Sequence, residues 1–279
     1  MSVDVLYHDS CADGFGAAWA AWKYLDDGWG NEEVRYHRVQ YGRPMPEIPD
    51  GSTVFILDFS YDAETLEALR PRVKQLTVLD HHRSAEKELA GLPYAIFDMN
   101  RSGAVMAWEF FFPDEPVPKL LQYVQDRDLW RWELPGSRDF SMGLRGLVDF
   151  DFELWNHIHE HDEEFETILR EGATLREYMN REIARKVWKA STWEIEGHSI
   201  PILNETTWIS ETCEALLERF PDAPCVATFF IGKEGEQIIS LRTREDRNFD
   251  VSELAESLGG GGHRMAAGCH YHGKLNLKP

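Results

Sequence analysis

The sequence predicts an α/β protein in which a parallel sheet with flanking helices precedes a connecting helical segment and a smaller α/β domain. Three observations support this fold class. Short apolar or β-branched runs alternate with helical patterns over residues 3–98, which is typical of βαβ units. Residues 151–189 then keep apolar side chains at roughly helical spacing. Strand-like runs return after this segment, which indicates a second domain.

The individual elements follow from these patterns. Strands are predicted at residues 3–7, 34–39, 53–57, 76–79 and 94–97, with helices at residues 15–25, 63–70, 84–89, 102–112 and 117–125. Further strands are predicted at residues 193–195, 200–203, 225–231 and 237–241, with a helix at residues 210–219. We therefore predict a first domain at residues 1–150, a helical linker at 151–190 and a second domain at 191–279.

Composition indicates a globular protein, with 43% hydrophobic and 28% charged residues. No apolar run approaches the roughly 20 residues that a membrane-spanning helix needs. The first residues contain Asp4 and lack a basic segment, so we expect a cytoplasmic protein. Its 4 cysteines are scattered without a C-x-x-C pair, which favours reduced thiols over a structural zinc site.

The net charge of −20 argues against an extended grip on long DNA or RNA. A short phosphorylated substrate remains compatible with this charge, because metal ions and arginines reverse the potential locally inside a cleft. The alternative is that the acidic surface serves solubility alone.

Acidic and imidazole side chains follow the first, third and fourth predicted strands: His8, Asp9, Asp13, Asp58, Asp80, His81 and His82. The ends of parallel strands meet at one sheet edge, where α/β proteins bind ligands. Asp126 and Asp128 close another apolar segment. One aspartate after a strand is commonly only a helix cap, but the combination indicates a metal site. A mixed Asp and His set suits Mn²⁺ or a similar ion, and suffices for two ions bridged by a carboxylate.

A run of four glycines forms a second motif, in the segment 259–268. Glycines allow backbone N–H groups to approach an anion closely, and His263 adds a donor. The alternative is a flexible linker. Arg242 and Arg244 follow a predicted strand and are candidates for phosphate contacts or for solvated surface positions. Trp130 and Trp132 are candidates for stacking on a base, although core positions are the commoner role for tryptophan.

Taken in their order along the chain, these motifs resemble those of the DHH phosphoesterase superfamily. The resemblance is to members that carry the DHH-associated C-terminal domain. The resemblance spans nearly the whole chain, and residues 8–19 are most similar to the oligoribonuclease and cyclic-nucleotide phosphodiesterase branch. It implies an active site in the cleft between the domains. It also implies two ions, Mn²⁺ or Mg²⁺ or another divalent metal, with Asp58 as the bridge. The implied ligands are His8 and Asp58 for one ion, and Asp13, Asp58, His81 and Asp126 for the other, with Asp128 as the alternative to Asp126.

The resemblance further implies that His82, Asp58 and Asp80 form the catalytic group. The implied substrate-binding residues are His263, Arg242, Arg264, Gly260, Gly261 and Gly262. Cys11 departs from the family, which commonly has a carboxylate there, and the spacing from His8 is also shorter. Three possibilities stay open: Cys11 binds a softer ion, Asp9 compensates for it, or the first site is weak. Asp80 is a further possible metal ligand.

We therefore expect a metal-dependent phosphoesterase acting on short oligonucleotides or small nucleotides. Alternatives are a single-strand exonuclease of the RecJ type, an inorganic polyphosphatase and a non-catalytic scaffold with the DHH fold. We expect neither a membrane partner nor a grip on long nucleic acid. The oligomeric state is left open, with a homodimer as one option.

Overall fold

The computed structural model describes residues 2–28, 33–233, 235–275 and 277–278. The chain divides into two compact units, Met1–Arg176 and Glu177–Pro279. The division lies inside the segment that the sequence predicts as a linker, and the domain limits at 150 and 190 stay predictions. Among the described residues, no helix combines the length and apolar character that a membrane span requires.

A parallel sheet forms the centre of the first unit, and within its described part the strand order is β2-β1-β3-β4-β5. Every neighbouring pair is parallel. The strands are β1 (Ser2–His8), β2 (Glu33–Val39), β3 (Thr53–Leu57), β4 (Gln75–Asp80) and β5 (Ala95–Phe97). The predicted α/β fold class is confirmed, and the predicted limits of these strands agree with the observed ones to within one residue.

Helices connect and follow these strands. They are α1 (Ala12–Gly28), α2 (Ala63–Leu69), α3 (Arg83–Glu88), α4 (Gly103–Phe111), α5 (Lys119–Asp128), α6 (Ser137–Leu147), α7 (Phe152–Glu160) and α8 (Asp162–Lys186), with 3₁₀ turns at Arg70–Arg72 and Val187–Lys189. The helical pattern predicted over residues 151–189 is thus two α-helices and a turn. Helix α6 was not predicted, since its two glycines and its serines have weak helix propensity.

The two faces of the parallel sheet bury separate apolar clusters. Val5 and Leu57 belong to the cluster that contains α1, α4 and α5. Leu6 and Ile56 belong to the other cluster, with Leu66 of α2. Adjacent strand residues point to opposite faces, so helices cover both sides of the sheet. The chain runs from β1 to β2 on one side and then crosses to β3 on the other side of β1. The switch point therefore lies between β1 and β3, where open α/β sheets form a ligand crevice.

The second unit contains a mixed sheet with the order β10-β11-β9-β8-β7-β6-β12 among its described strands. Helix α9 (Ile209–Arg219) connects the parallel pair β7 and β8, and the other pairs are antiparallel. The strands are β6 (Ser191–Ile195), β7 (His198–Asn204), β8 (Val226–Ile231), β9 (Gln237–Arg242), β10 (Gly261–His263), β11 (Ala266–Tyr271) and β12 (Leu277–Lys278). Helix α10 (Val251–Ser257) packs beside β10 and β11.

Candidate metal centre

Asp58 lies between two imidazoles at the carboxyl edge of the parallel sheet. It directly follows β3, at a positive φ of 54° that costs a non-glycine residue free energy. His8 ends β1, and its Nδ1 lies 3.5 Å from Asp58 Oδ2. His81 follows β4, and its Nε2 lies 3.2 Å from Asp58 Oδ1. The ends of three strands therefore bring these side chains together, at the switch point of the sheet.

Asp13 joins this group from the first turn of α1. Its buried carboxylate accepts hydrogen bonds from the backbone N–H groups of Gly103 and Ala104, at 2.7 and 3.0 Å. Asp13 Oδ2 also lies 3.6 Å from His81 Nε2. A Cβ on Gly103 would lie 2.4 Å from the Cβ of Asp58. Glycine at the start of α4 thus lets that helix end approach both carboxylates, a contact that the sequence analysis missed.

Asp128, at the end of α5, faces the same imidazole: its Oδ2 lies 3.5 Å from His81 Nε2. Asp126 has different partners. Its carboxylate accepts hydrogen bonds from the N–H groups of Glu133 and Leu134, at 3.0 and 3.3 Å. The structure therefore brings Asp128 into the cluster and places Asp126 at the base of the following loop.

The Asp80 carboxylate is occupied by neighbouring donors and orients His82. His82 Nδ1 lies 2.6 Å from Asp80 Oδ1. The same oxygen accepts the His81 N–H at 2.7 Å, and Ser60 Oγ donates to Asp80 Oδ2 at 2.6 Å. Asp80 is thus placed to hold an imidazole more than to bind an ion directly. Ser60 is a residue that sequence reasoning missed, because its role depends on the fold that brings it beside β4.

Cys11 lies with His8 and Asp58, and one candidate ligand atom from each lies within 4.8 Å of the others. Burial raises the pKa of the Cys11 thiol well above its usual range, and the charges of Asp58 and Asp128 raise it further. Asp9 turns elsewhere: its carboxylate accepts from Ser10 N–H at 2.8 Å and from the Gln40 amide at 3.3 Å. Of Cys11 and Asp9, only Cys11 lies with the candidate ligands His8 and Asp58.

The cluster has more negative than positive charge, since the carboxylates of Asp13, Asp58 and Asp128 all lie near the imidazole of His81. Burial raises the pKa of Asp13 well above its usual range, and the charges of Asp58 and Asp128 add to this effect. Burial also raises the pKa of Asp128. Burial alone would raise the pKa of Asp58, but the nearby imidazoles of His8 and His81 outweigh it and lower that pKa. Burial likewise opposes charge on His81, yet Asp58, Asp13 and Asp128 raise its pKa. Three carboxylates surround one imidazole, so the cluster favours added positive charge.

The residues present fit a divalent cation. Asp58 Oδ1 is buried and has no hydrogen bond of good geometry from the described part of the chain, although such an oxygen is normally satisfied by a donor or an ion. Asp and His atoms suit Mn²⁺ and related ions. Three overlapping groups have the right donors: His8, Cys11 and Asp58; Asp58, His81 and His82; and Asp13, His81 and Asp128. Asp58 and His81 each belong to two of these groups.

The glycine motif of the second unit forms a tight hairpin between β10 and β11. A Cβ on Gly260 would lie 2.1 Å from the carbonyl oxygen of Gly268, and Gly262 has a φ of 145°. Close backbone packing therefore explains why glycines occupy positions 260 and 262. The segment is part of a strand pair and is not a flexible linker.

Cross-strand register aligns Arg242 with Ala266, and Ala266 with His263. The Arg242 guanidinium donates to Ser210 Oγ at 3.2 Å, and that of Arg264 donates to the carbonyl of Arg247 at 2.9 Å. The Arg244 guanidinium donates to the carbonyl of Leu217 at 2.6 Å. The substrate contacts expected of His263, Arg242, Arg264, Gly260, Gly261 and Gly262 stay predictions.

Trp130 and Trp132 pack edge to face, with ring centroids 5.0 Å apart, and Arg127 and Arg138 lie over their rings. Both tryptophans are partly exposed. They therefore belong to a surface loop after α5 and not to the core.

Comparisons with known proteins agree with this arrangement. The DHHA1 domain family matches residues 204–278. Uncharacterized protein R106 of Acanthamoeba polyphaga mimivirus is 34% identical over 99% of this chain and 69% of its own length. Oligoribonuclease NrnB of Bacillus subtilis is 25% identical over 85% of this chain and 66% of its own length. The chain thus spans about two thirds of these relatives. It belongs to the DHH phosphoesterase superfamily.

Solved structures share the fold. A pGpG-specific phosphodiesterase, PggH of Vibrio cholerae, has a TM-score of 0.55 at 15% identity, over 97% of this chain and 93% of its own. An exonuclease RecJ bound to manganese has a TM-score of 0.52 at 15% identity, over 97% of this chain and 86% of its own. The parallel five-stranded sheet and the second sheet are thus those of DHH proteins.

Proposed function

We propose that this chain is a metal-dependent phosphoesterase that hydrolyses phosphate esters of short oligonucleotides or small nucleotides with two divalent cations. One observation carries the proposal: the buried Asp58 carboxylate belongs to two candidate ligand groups, and its Oδ1 lacks a well-oriented donor among the described residues. A carboxylate shared between two groups of this kind is what a two-metal centre requires.

We assign one cation to His8 and Asp58, with Cys11 beside them. We assign the other to Asp13, Asp58, His81 and Asp128. Asp128 replaces Asp126 in this assignment, because only Asp128 faces His81. Such cations, when bound, neutralise phosphate charge and lower the pKa of water so that a hydroxide is available at neutral pH.

The protein's own residues orient the substrate. Burial opposes charge on His82, but the hydrogen bond to Asp80 and its charge outweigh that effect and raise the His82 pKa. A protonated His82 uses Nδ1–H for Asp80 and has a second donor, Nε2–H. We assign Nε2–H to an oxygen of the scissile phosphate, where it stabilises the charge that develops during hydrolysis. Asp80, itself anchored by Ser60, fixes the ring for this task.

Two considerations favour a short substrate. The net charge of −20 gives little attraction for a long polyanion beyond the site itself. The relatives named above include an oligoribonuclease and a pGpG-specific phosphodiesterase. His263, Arg242 and Arg264, with Gly260, Gly261 and Gly262, are the proposed substrate-binding residues. The proposed ion is Mn²⁺, and a cytoplasmic location is proposed with it, in line with four free thiols.

The test is a product-resolved assay with Mn²⁺ on dinucleotides, longer single strands, 3′,5′-bisphosphate nucleotides, cyclic dinucleotides and inorganic polyphosphate. We expect the dinucleotides or small nucleotides to be hydrolysed fastest, and Asp58→Asn to remove nearly all turnover. Asp50→Asn, at an exposed position, is the control. Faster hydrolysis of long strands or of polyphosphate would replace the substrate assignment. Full activity of a folded Asp58→Asn variant would refute the metal assignment.

A further inference from the structure

An exposed tyrosine lies at the edge of the candidate metal centre, in the loop after β2. Tyr41 is 54% exposed, yet its ring lies 5.8 Å from the ring of His8 and 6.2 Å from that of His82, as centroid distances. Both contacts are edge-on. A large aromatic side chain at this position therefore borders both His8, a proposed ion ligand, and His82, which we assign to the scissile phosphate.

The Tyr41 ring is held in place although it is exposed. It rests on the buried ring of Phe59, with centroids 4.5 Å apart. Gly42, at a φ of 75°, turns the chain directly after it. An aromatic ring that is already ordered binds a flat partner at a low cost in conformational entropy.

Tyr41 also lines a cavity of about 510 Å³, together with Arg43, Met45, Phe59, Tyr61 and Thr65. This volume lies within the range of small-molecule sites, which extends from about 300 to 1,000 Å³. The rim contains the carboxylates of Asp62 and Glu88 against the single guanidinium of Arg43. This charge disfavours a second phosphate, whereas aromatic and methionine side chains suit a flat, uncharged group.

We propose that this cavity binds a nucleobase of the substrate, stacked on Tyr41, on the side of the cluster where Tyr41 borders His8 and His82. The inference rests on the proposed phosphoesterase function and narrows it to substrates that carry a base next to the cleaved ester. Stacking on an aromatic ring tolerates any base, since every base has a π-face. Tyr41 thus selects nucleotides over inorganic phosphate chains.

The test compares a dinucleotide with its analogues that lack one base, in Mn²⁺-loaded wild type, Tyr41→Ala, Tyr41→Phe and Tyr24→Ala. Tyr24 is another exposed tyrosine of the first unit, packed on Phe111 and Phe112, and serves as the control. We expect Tyr41→Ala to lower kcat/KM for the dinucleotide about tenfold or more, in line with stacking energies. Tyr41→Phe and Tyr24→Ala should retain most activity. One abasic analogue should be a poor substrate that Tyr41→Ala affects little.

Equal losses on the dinucleotide and on both abasic analogues would overturn the proposal, because Tyr41 would then only support the histidines. An unchanged kcat/KM in Tyr41→Ala would overturn it as well. Calorimetric binding of AMP and ribose 5-phosphate separates this inference from the proposed function, because it needs no turnover. Tighter binding of AMP that disappears in Tyr41→Ala supports the base site even if no ester is hydrolysed. Equal affinity of wild type for the two ligands would refute it.

Discussion

The carboxylate of Asp128 lies 3.5 Å from Nε2 of His81, and two residues earlier on the same helix Asp126 binds the backbone of the next loop. Positions two apart on a helix face in different directions. The two aspartates therefore have separate tasks: one faces the cluster, and the other stabilises the turn after α5.

We expect Asp128→Asn to weaken Mn²⁺ binding at least tenfold, because it removes a charged ligand. Asp126→Asn should change Mn²⁺ affinity less than about threefold, yet lower the free energy of unfolding by about 1.5–3 kcal/mol, the usual range for hydrogen bonds to a charged group. Metal titration and urea unfolding measure the two effects. If Asp126→Asn lost more Mn²⁺ affinity than Asp128→Asn, the ligand assignment would have to be exchanged.

This pair shows where sequence reasoning stopped. The apolar strands of the parallel sheet and the polar residues at their ends could be predicted from the sequence. Both follow from hydrophobic periodicity and from the geometry of parallel strands. The choice between Asp126 and Asp128 depends on where α5 ends and on the loop that folds back over Asp126. Gly103 and Ser60 were also not predicted, since nothing local marks a glycine that must touch a carboxylate 45 positions earlier in the chain. Strand β10 is rich in glycine and forms only through its partner β11.

A second prediction concerns a buried ion pair away from the metal centre. Asp4 is fully buried on β1, and its two oxygens accept hydrogen bonds from Arg35 at 2.8 and 2.7 Å. Burial alone would raise the Asp4 pKa, but hydrogen bonds from Arg35 and His37 outweigh it and lower that pKa. The ionised form therefore stabilises the folded state above the ordinary pKa of about 4, and this contribution is lost as the pH falls through the folded pKa.

Asp4→Asn should thus lower the free energy of unfolding by about 3 kcal/mol at neutral pH, because it removes the buried carboxylate that pairs with Arg35. The difference from wild type should shrink below about pH 4. Urea unfolding at several pH values, with chelator present, measures this change. Asp50→Asn breaks an exposed pair with Arg72 and should change stability by less than about 1 kcal/mol. A difference between wild type and Asp4→Asn that stayed constant down to pH 3 would argue against this linkage.

Neighbouring glycines of the hairpin provide a third prediction. An added Cβ at Gly260 would meet the Gly268 carbonyl oxygen at 2.1 Å, whereas a Cβ at Gly261 would point into space that the described part of the chain leaves open. Gly260→Ala should therefore destabilise the second unit by about 2 kcal/mol or more, as expected for overpacking against backbone. Gly261→Ala should cost less than about 1 kcal/mol. Thermal unfolding measures both variants, and equal stability of the two would contradict the backbone packing described for this hairpin.

The last prediction concerns Cys11, where the chain has a thiol at a position commonly occupied by a carboxylate in the family. At neutral pH the raised pKa keeps this thiol protonated, and a protonated thiol is a poor ligand for a hard ion. A softer cation that binds beside His8 and Asp58 displaces the proton and gains a thiolate ligand. We therefore expect Cys11→Ser to change Mn²⁺ affinity less than about threefold and to weaken Cd²⁺ or Zn²⁺ binding at least tenfold.

The ultraviolet charge-transfer band of a cadmium–thiolate bond provides a direct measurement. The control is Cys213→Ala, which removes a buried thiol of the second unit. The band should form in wild type and in Cys213→Ala and be absent from Cys11→Ser. Its persistence in Cys11→Ser, or its absence from wild type, would show that Cys11 packs at the strand end without binding an ion.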